Sequence, residues 1–422
     1  VKNRERFQHA VCCQPFDAIF VENSVNGQVD IFDGLTRQVL DQECPVRKVR
    51  KNPKPLWTPV LTHAARTKKK WHRIWKSTKQ DADYIMFKLY KFYEENLIKD
   101  NERKMIDSLI HSGSSRSCWR ALDRVLPEMQ CSSQEYNCNR QELAKDINAF
   151  FASVGPATAL NATANLERYF EPTSDSPQEE RPSIQTQREA FKLREAEEQA
   201  VLGAIMKVSN GKAPGNDQIS PEVLKLLSWD LLPHITKIIN TSITSSQFPD
   251  QWKAAIVKPI PKTGDCCDAR QQRPISLLPV ISKVCERIVH DQLVEYLHRN
   301  NLFPQHQYGG RNGCSAEMLA LRTVESVRDA MAKKRLTAMV LLDMSKAFDS
   351  INHKKLLSCL EGLPMASESL AWFESYLSGR SIRTKVQDVL SESLPVTHGV
   401  PQGSTLGPLL FNLYTANVTD SL

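Results

Sequence analysis

The sequence lacks the cysteine patterns of zinc sites and of disulfide frameworks. Its eleven cysteines include no Cys-x-x-Cys pair, and no run of cysteine and histidine has zinc-ligand spacing. An odd number of cysteines without such a framework predicts free thiols in a reducing compartment. No apolar stretch has the length of a membrane span, and residues 1–13 lack the apolar centre of a signal peptide. We therefore expect a nuclear or cytoplasmic protein that is not secreted and has no membrane partner.

Acidic residues are absent from one long segment. The formal net charge is only +7 over 422 residues, but no Asp or Glu occurs between Val46 and Lys79, where tryptophans are interleaved with lysines and arginines. Such a segment is typical of nucleic-acid binding, in which cations neutralise phosphates and aromatic rings stack on bases. The alternative is a helix with a solvated basic face, on which Trp71 and Trp75 pack into a core. The candidate nucleic-acid-binding residues are Arg66, Lys68, Lys69, Lys70 and Arg73.

Composition and periodicity divide the chain into four regions. Residues 1–45 carry no interpretable motif and stay unassigned. Residues 46–127 form a basic region with apolar residues three and four apart, which predicts helices. Residues 128–190 are polar and contain several prolines, which predicts a linker. Residues 191–422 alternate strand-like and helix-like segments with frequent glycine and proline, which predicts a mixed α and β domain.

A predicted β-hairpin in this domain carries two cations. Ala255–Ile260 has the character of a strand, and Gln272–Leu277 that of its returning partner. The prolines after Lys258 place the first strand at an edge of its sheet. Lys262 lies on one arm and Arg273 on the other, which suits the neutralisation and orientation of a triphosphate. The alternative is a surface hairpin with ordinary basic residues.

An apolar run further along the chain ends in a carboxylate. Ala338–Leu342 predicts a strand buried on both faces, and Asp343 follows it directly. A carboxylate at the mouth of a buried strand is costly to desolvate unless a cation meets it, and in a phosphate-handling site that cation is usually a metal ion. The alternative is an aspartate that caps a turn. Phe348 would lie beside a bound nucleotide, and Asp349 would cap the helix that follows it.

A glycine-rich turn precedes the last apolar helix. The segment His398–Pro408 contains three glycines that allow the backbone to approach a ligand closely. Gln402, next to Gly403, offers amide donors and an acceptor at that turn. Ser404 is placed to cap the following helix. The segment is a ligand-binding turn, a sharp turn before a buried helix, or both.

Two further helices are predicted around these motifs. Ser220 is expected to be the N-cap of one helix, with Pro221 at its first position, after a turn at Pro214-Gly-Asn216. The other carries apolar residues on one face between Ile281 and Tyr296, so this face should belong to the core.

The order and spacing of these segments are more specific than any one of them. Together they resemble the reverse-transcriptase domain of non-LTR retrotransposons, particularly the jockey-like and CR1-like mobile elements. The matching blocks are Gly211–Ile219, Trp252–Ile288, Gln305–Val327, Met339–Leu357 and Gly399–Tyr414.

The resemblance implies an α+β fold, a right-hand polymerase with fingers and a partial palm, preceded by a mainly helical N-terminal region. It implies RNA-directed DNA synthesis with an RNA template, a DNA primer and deoxynucleoside triphosphates. The residue matching Asp343 would bind two catalytic Mg²⁺ ions, together with the backbone carbonyl of Met344. The ions would activate the primer 3′-hydroxyl and stabilise the leaving pyrophosphate.

The resemblance also implies a set of nucleotide contacts. The residues matching Lys262 and Arg273 would bind the triphosphate. The residue matching Phe348 would be the steric gate that disfavours a ribose 2′-hydroxyl. The residues matching Gln402 and Gly403 would contact the incoming nucleotide or the template.

The largest departure from the family pattern is a missing motif. The family's Tyr/Phe-x-Asp-Asp hairpin is expected shortly after the helix that contains Leu409, but no Asp-Asp dipeptide occurs up to Leu422. We interpret residues 191–422 as a polymerase domain that is C-terminally incomplete. One carboxylate cannot hold two ions about 3.5–4 Å apart, so we expect little or no polymerase activity from these residues alone. The alternative function is that of a non-catalytic nucleic-acid-binding relic of a retrotransposon.

Overall fold

Helices dominate the structure, which is a computed structural model. It describes residues 4–44, 58–111, 118–119, 139–169, 189–262, 267–303, 307–311, 313–344 and 346–416. The chain divides into two units, one formed by residues 46–135 and the other by residues 1–45 with 136–422. Within the described ranges, none of the helices combines the length and the apolar character needed to cross a membrane.

The elements are numbered here in chain order. The helices are α1 (Arg4–Cys12), α2 (Ala18–Val21), α3 (Val25–Glu43), α4 (Pro59–Thr78), α5 (Asp81–His111), α6 (Arg140–Tyr169), α7 (Glu198–Lys207), α8 (Pro221–Thr244), α9 (Val280–Arg299), α10 (Ala316–Ala332), α11 (His353–Glu361), α12 (Ser367–Leu377) and α13 (Gly407–Tyr414). The strands are β1 (Ala254–Pro261), β2 (Gln272–Leu277), β3 (Arg380–Val386), β4 (Val389–Leu390) and β5 (Leu394–Val396). The prediction of mixed helix and sheet is confirmed.

The first three helices, in the region that the sequence leaves unassigned, belong to the main core of the larger unit. Helices α1, α2 and α3 pack against α8, and Phe32 of α3 is fully buried there. Asn26 donates to the Asp250 carboxylate and accepts from the Asp250 backbone N–H, both at 2.9 Å. Arg37 donates to the carbonyl oxygen of Asn216 at 3.0 Å. The N-terminal segment is therefore an integral layer of this unit.

The smaller unit is a helical hairpin of α4 and α5. The Thr58 hydroxyl caps α4 by accepting from Leu61 N at 3.2 Å. The Trp75 ring lies 4.8 Å from the Tyr84 ring and is stacked at 6.2 Å on the Phe87 ring of α5. Trp75 therefore packs between the two helices, which is one of the two uses that the sequence left open.

The sheet contains five strands in the order β2-β1-β3-β4, with β5 also paired to β3. The predicted hairpin is confirmed, because β1 and β2 are antiparallel and Ile260 pairs with Arg273. Only residues 254–257 of β1 also pair with β3, in parallel. Pro259 and Pro261 lie in the other half of β1, which pairs with β2 alone. That half is an edge, as the prolines predicted, since proline cannot donate to a second ladder.

Helix α6 lies in the region that the sequence assigns to a linker. Its apolar face, with Leu143, Ile147 and Phe151, is buried against β3, β4 and β5. These residues repeat every four positions, which is a helical period. The polar composition and Pro156 obscured this period. The linker interpretation is wrong for residues 140–169, and its other parts fall largely outside the described residues.

Two local predictions are confirmed. The Ser220 hydroxyl accepts from Val223 N at 3.3 Å, and Pro221 is the first residue of α8. The predicted core face between Ile281 and Tyr296 lies on α9, where Ile281 is buried.

The predicted buried strand at Ala338–Leu342 is wrong. The segment is not in a strand, and Val340, Leu341 and Leu342 are 79%, 82% and 74% exposed. An apolar run becomes a buried strand only where neighbouring strands satisfy its backbone groups. No described strand pairs with this segment.

Replacing Phe32 with Ala should destabilise the larger unit, because the ring is fully buried between α3 and the core. We expect the free energy of unfolding to fall by about 3–5 kcal/mol, measured by urea denaturation of the full chain. Val21→Ala is the control, since Val21 is 81% exposed. Equal denaturation midpoints for the Phe32→Ala variant and the wild type would show that the N-terminal helices are not part of the core.

Candidate nucleotide-binding site

One pocket collects side chains from four separate segments of the larger unit. It lies between the β1–β2 hairpin, the turn around residue 349, the loop around residue 402 and helix α6. Its lining residues are Phe150, Phe151, Val154, Lys262, Gln272, Arg273, Pro274, Lys346, Asp349 and Gln402. The structure therefore brings together Lys262, Arg273 and Gln402, three residues that the sequence analysis selected.

The two hairpin cations stand at the edge of this pocket. Lys262 directly follows β1, and its backbone N–H donates to Gln271 O at 2.7 Å. Arg273 is the second residue of β2. Both side chains are exposed, so they can rearrange around an anionic ligand. Lys346, on the turn that precedes Asp349, adds a third cation that the sequence analysis missed.

Gln402 is held on both its backbone and its side chain. Its carbonyl oxygen accepts from Ser276 N of β2 at 2.8 Å, and its Nε2 donates to Asp349 Oδ2 at 2.8 Å. Gly403 has a φ of +125°, and a Cβ there would lie 2.8 Å from the Ser276 carbonyl oxygen. Only glycine fits this close approach. The loop thus directs the Gln402 amide to the pocket.

Asp349 is a pocket residue, not the helix cap that the sequence predicted. The cap of α11 is Asn352, whose side chain accepts from Lys355 N at 3.1 Å. Burial raises the pKa of Asp349 to about 6, against the opposing effects of the Gln402 hydrogen bond and the charges of Lys346 and Lys262. Asp349 thus places one carboxylate among the pocket cations.

Phe348 lies next to this pocket without lining it. Its ring is 5.1 Å from the Phe411 ring of α13, and its carbonyl oxygen accepts from Val400 N at 2.9 Å. It therefore connects the turn to α13, and its role as a steric gate stays a prediction.

Asp343 and Met344 are exposed. The oxygen donors they offer, a carboxylate and a backbone carbonyl, are of the type that Mg²⁺ prefers. However, within the described part of the chain no three His, Cys, Asp or Glu side chains come close enough to hold a metal ion. The donor type fits the expected ion, but among the described residues the number of donors does not, and the metal-binding role of Asp343 stays a prediction.

Glu286 is a supporting residue that the sequence analysis missed. It is fully buried on α9, and its Oε2 accepts from Thr405 N at 2.6 Å and from Leu406 N at 3.1 Å. Burial raises the pKa of Glu286, and the charge of Arg380 is the largest of the effects that lower it. The signal in the sequence was a glutamate inside an apolar helical stripe, where a residue of this type is rarely fully buried unless it is paired.

The predicted nucleic-acid-binding residues lie on α4, in the smaller unit. Arg66, Lys69, Lys70 and Arg73 are exposed. Lys68 is partly buried and forms an ion pair with Glu94 of α5. The first four are thus available to an anionic partner, whereas Lys68 already has a structural role.

Comparison with known proteins identifies similar sequences. Residues 260–422 match the family described as reverse transcriptase (RNA-dependent DNA polymerase). The chain is 31% identical over 322 residues to the probable RNA-directed DNA polymerase from transposon X-element of Drosophila melanogaster, covering 74% of this chain and 34% of that protein. It is 29% identical over 260 residues to the RNA-directed DNA polymerase from the mobile element jockey of the same species, covering 60% and 28%.

A third relative extends the match along the chain. The probable RNA-directed DNA polymerase from transposon BS of Drosophila melanogaster is 28% identical over 364 residues, which is 84% of this chain and 38% of that protein. The chain thus spans about a third of the length of these relatives. The resemblance to non-LTR retrotransposon reverse transcriptases is confirmed.

Replacing Asp349 with Asn should stabilise the fold in a pH-dependent manner. The folded-state pKa of about 6 lies above the ordinary value of 3.8, so the folded chain binds more protons between these values, and stability falls as the pH rises through that window. We expect the variant to gain free energy of unfolding above pH 6 and to lose this advantage as the pH approaches 3.8. The Asn oxygen can still accept from Gln402.

Urea denaturation between pH 5 and pH 8 measures this difference. Asp388→Asn, at an exposed turn between β3 and β4, is the control. A stability difference for Asp349→Asn that does not change with pH would contradict the buried carboxylate.

Proposed function

Because the chain contains a reverse transcriptase domain of the non-LTR retrotransposon type, we propose that it serves RNA-directed DNA synthesis and that the pocket binds the incoming deoxynucleoside triphosphate. The β1–β2 hairpin then belongs to the fingers, and the segments around Asp343 and Gln402 belong to the palm. The RNA template and the DNA primer are the macromolecular partners.

The convergence of Lys262, Arg273 and Gln402 on one pocket carries this proposal. The three residues come from the two arms of a hairpin and from a loop far along the chain. Together with Lys346 they supply three cations and one amide around a cavity. A triphosphate needs several positive charges for neutralisation and directed hydrogen bonds for orientation, and this set of groups meets both needs.

We also propose that Asp343, with the backbone carbonyl of Met344, is a Mg²⁺ ligand of the polymerase. Bound divalent ions would activate the primer 3′-hydroxyl and stabilise the leaving pyrophosphate. Among the described residues, no two further acidic side chains lie close enough to Asp343 to hold a metal ion together with it. For this reason we propose that these 422 residues alone support little or no primer extension.

A second proposed function is the binding of nucleic acid by α4. Arg66, Lys69, Lys70 and Arg73 are exposed on one helix, and the segment around them carries no acidic residue. Such a surface would contact phosphates without reading base sequence. This function does not depend on catalysis, and it would remain in a non-catalytic relic.

Equilibrium binding of dTTP with Mg²⁺ to the full chain tests the nucleotide pocket. Lys262→Ala and Arg273→Ala should each weaken binding by about tenfold, because each removes a charge-assisted hydrogen bond to phosphate. Lys385→Ala is the control, since Lys385 is an exposed cation on β3 of the same sheet. Affinities that are unchanged in both pocket variants would refute the proposed site. Robust RNA-templated primer extension by the chain would refute its proposed inactivity.

A triple variant, Lys69→Ala, Lys70→Ala and Arg73→Ala, tests nucleic-acid binding. Removing a cation that neutralises one phosphate should reduce the slope of log K against log salt by about 0.7–0.9, so we expect weaker binding of RNA and a smaller slope. The control removes three exposed cations from α5, at Lys88, Lys91 and Lys99. Equally weakened binding in both triple variants would indicate a general charge effect and not a surface on α4.

A further inference from the structure

Helix α6 covers one side of the nucleotide pocket, although it precedes the matched reverse transcriptase region by about a hundred residues. Phe150, Phe151 and Val154 line the pocket. The helix is fixed to the sheet by Asn148, whose Oδ1 accepts from the Thr384 hydroxyl at 2.9 Å and whose Nδ2 donates to Glu392 O at 3.0 Å. Asn148 and Thr384 are both buried. The position of α6 over the pocket is thus defined by specific contacts.

Gly155 brings the backbone of α6 into direct contact with the pocket turns. A Cβ at this position would lie 2.2 Å from His398 Cβ and 2.9 Å from Asp349 O. Real Cβ atoms do not approach other heavy atoms this closely, so any other residue would push the helix away. The helix therefore rests on the turn that carries Asp349 and on the start of the Gln402 loop.

Phe150 and Phe151 differ in their burial and in their contacts. Phe151 is buried in the small core between α6 and the sheet. Phe150 is only partly buried, and Lys346 Nζ lies 4.3 Å from the centre of its ring. A cation–π contact at an exposed site is weak. An anion that binds the lysine more strongly therefore frees the face of the ring for another ligand.

We propose that α6 is a wall of the nucleotide pocket and that the Phe150 ring contacts the nucleoside of a bound deoxynucleoside triphosphate. This inference rests on the proposed function of the pocket and adds a binding residue to it. Lys262 and Arg273 contact the phosphates from the hairpin side, while Phe150 provides an apolar surface from the helix side. Lys346 lies between the two and can leave the ring to contact a phosphate.

The division of the pocket follows from the chemistry of its two sides. A deoxynucleoside triphosphate carries its charge at one end and a base that can stack on aromatic rings at the other. Aromatic rings bind bases through their faces without sequence preference, whereas lysine and arginine bind phosphates. The cations lie on the hairpin and on the turn, and the aromatic residues lie on α6. A nucleotide that spans both would satisfy each side.

Competition with inorganic tripolyphosphate separates the two sides experimentally. In the full chain, Phe150→Leu should weaken dTTP binding by about tenfold and leave tripolyphosphate binding unchanged. Phe150→Trp should restore dTTP binding, because it returns an aromatic face. Lys262→Ala should weaken both ligands. Ser153→Ala, at an exposed position on the same helix, should change neither.

Gly155→Val provides an independent variant that displaces α6 without altering a pocket side chain. It should weaken dTTP more than tripolyphosphate. Thermal denaturation identifies any variant that fails to fold, and the Phe150 variants then decide.

Wild-type affinity in Phe150→Leu with weakened binding in Lys262→Ala would overturn the role of α6 and leave the pocket intact. Tighter dTTP binding in Phe150→Leu or Gly155→Val would also overturn it, because α6 would then obstruct the pocket. Unchanged affinity in Lys262→Ala and Arg273→Ala would instead refute the pocket itself.

Discussion

The carboxylate of Glu286 holds the loop on which the pocket depends. A helix begins with backbone N–H groups that have no partner inside the helix. Just before α13, the Glu286 carboxyl group accepts from the N–H groups of Thr405 and Leu406, the two residues that precede the first residue of the helix, Gly407. An acceptor oxygen at this end also interacts favourably with the helix dipole. Because α13 starts directly after the Gln402 loop, these hydrogen bonds fix the point where the loop ends. The carboxyl group is fully buried, which raises the pKa of Glu286, and the charge of Arg380 is the largest of the effects that lower it.

The pocket charges follow from this fixed loop. Gln402 reaches Asp349 by a hydrogen bond of 2.8 Å, which keeps a carboxylate beside Lys346 and near Lys262. Among the described residues that line the pocket, the cations outnumber the carboxylate. The pocket therefore has a net positive charge in the absence of ligand, and its internal carboxylate reduces the repulsion between the cations. An anionic ligand can take over this neutralising role.

The elements that could be predicted from the sequence are those whose causes are local. Ser220 and Pro221 define the start of α8 within four residues, and the hairpin of Lys262 and Arg273 is encoded by its own strands and prolines. Gln402 was selected from its glycine-rich turn, and its contact with a nucleotide was implied only by the family resemblance. Glu286 and α6 were missed because their roles depend on partners more than a hundred residues away. A buried acid or a weakly periodic helix acquires meaning only through those partners.

The segment Ala338–Leu342 was predicted wrongly for the same reason, because its structure also depends on distant partners. Its composition is that of a buried strand, yet most of it is exposed, because strand formation requires a neighbour that pairs with its backbone. Helix α6 is the opposite case. Its composition is polar, yet it packs against β3 and β5 through a buried face. The pocket combines such non-local elements on one side with locally encoded ones on the other. Its cationic side, on the hairpin, can therefore be read from short motifs, whereas its apolar side, on α6, depends on how distant segments pack.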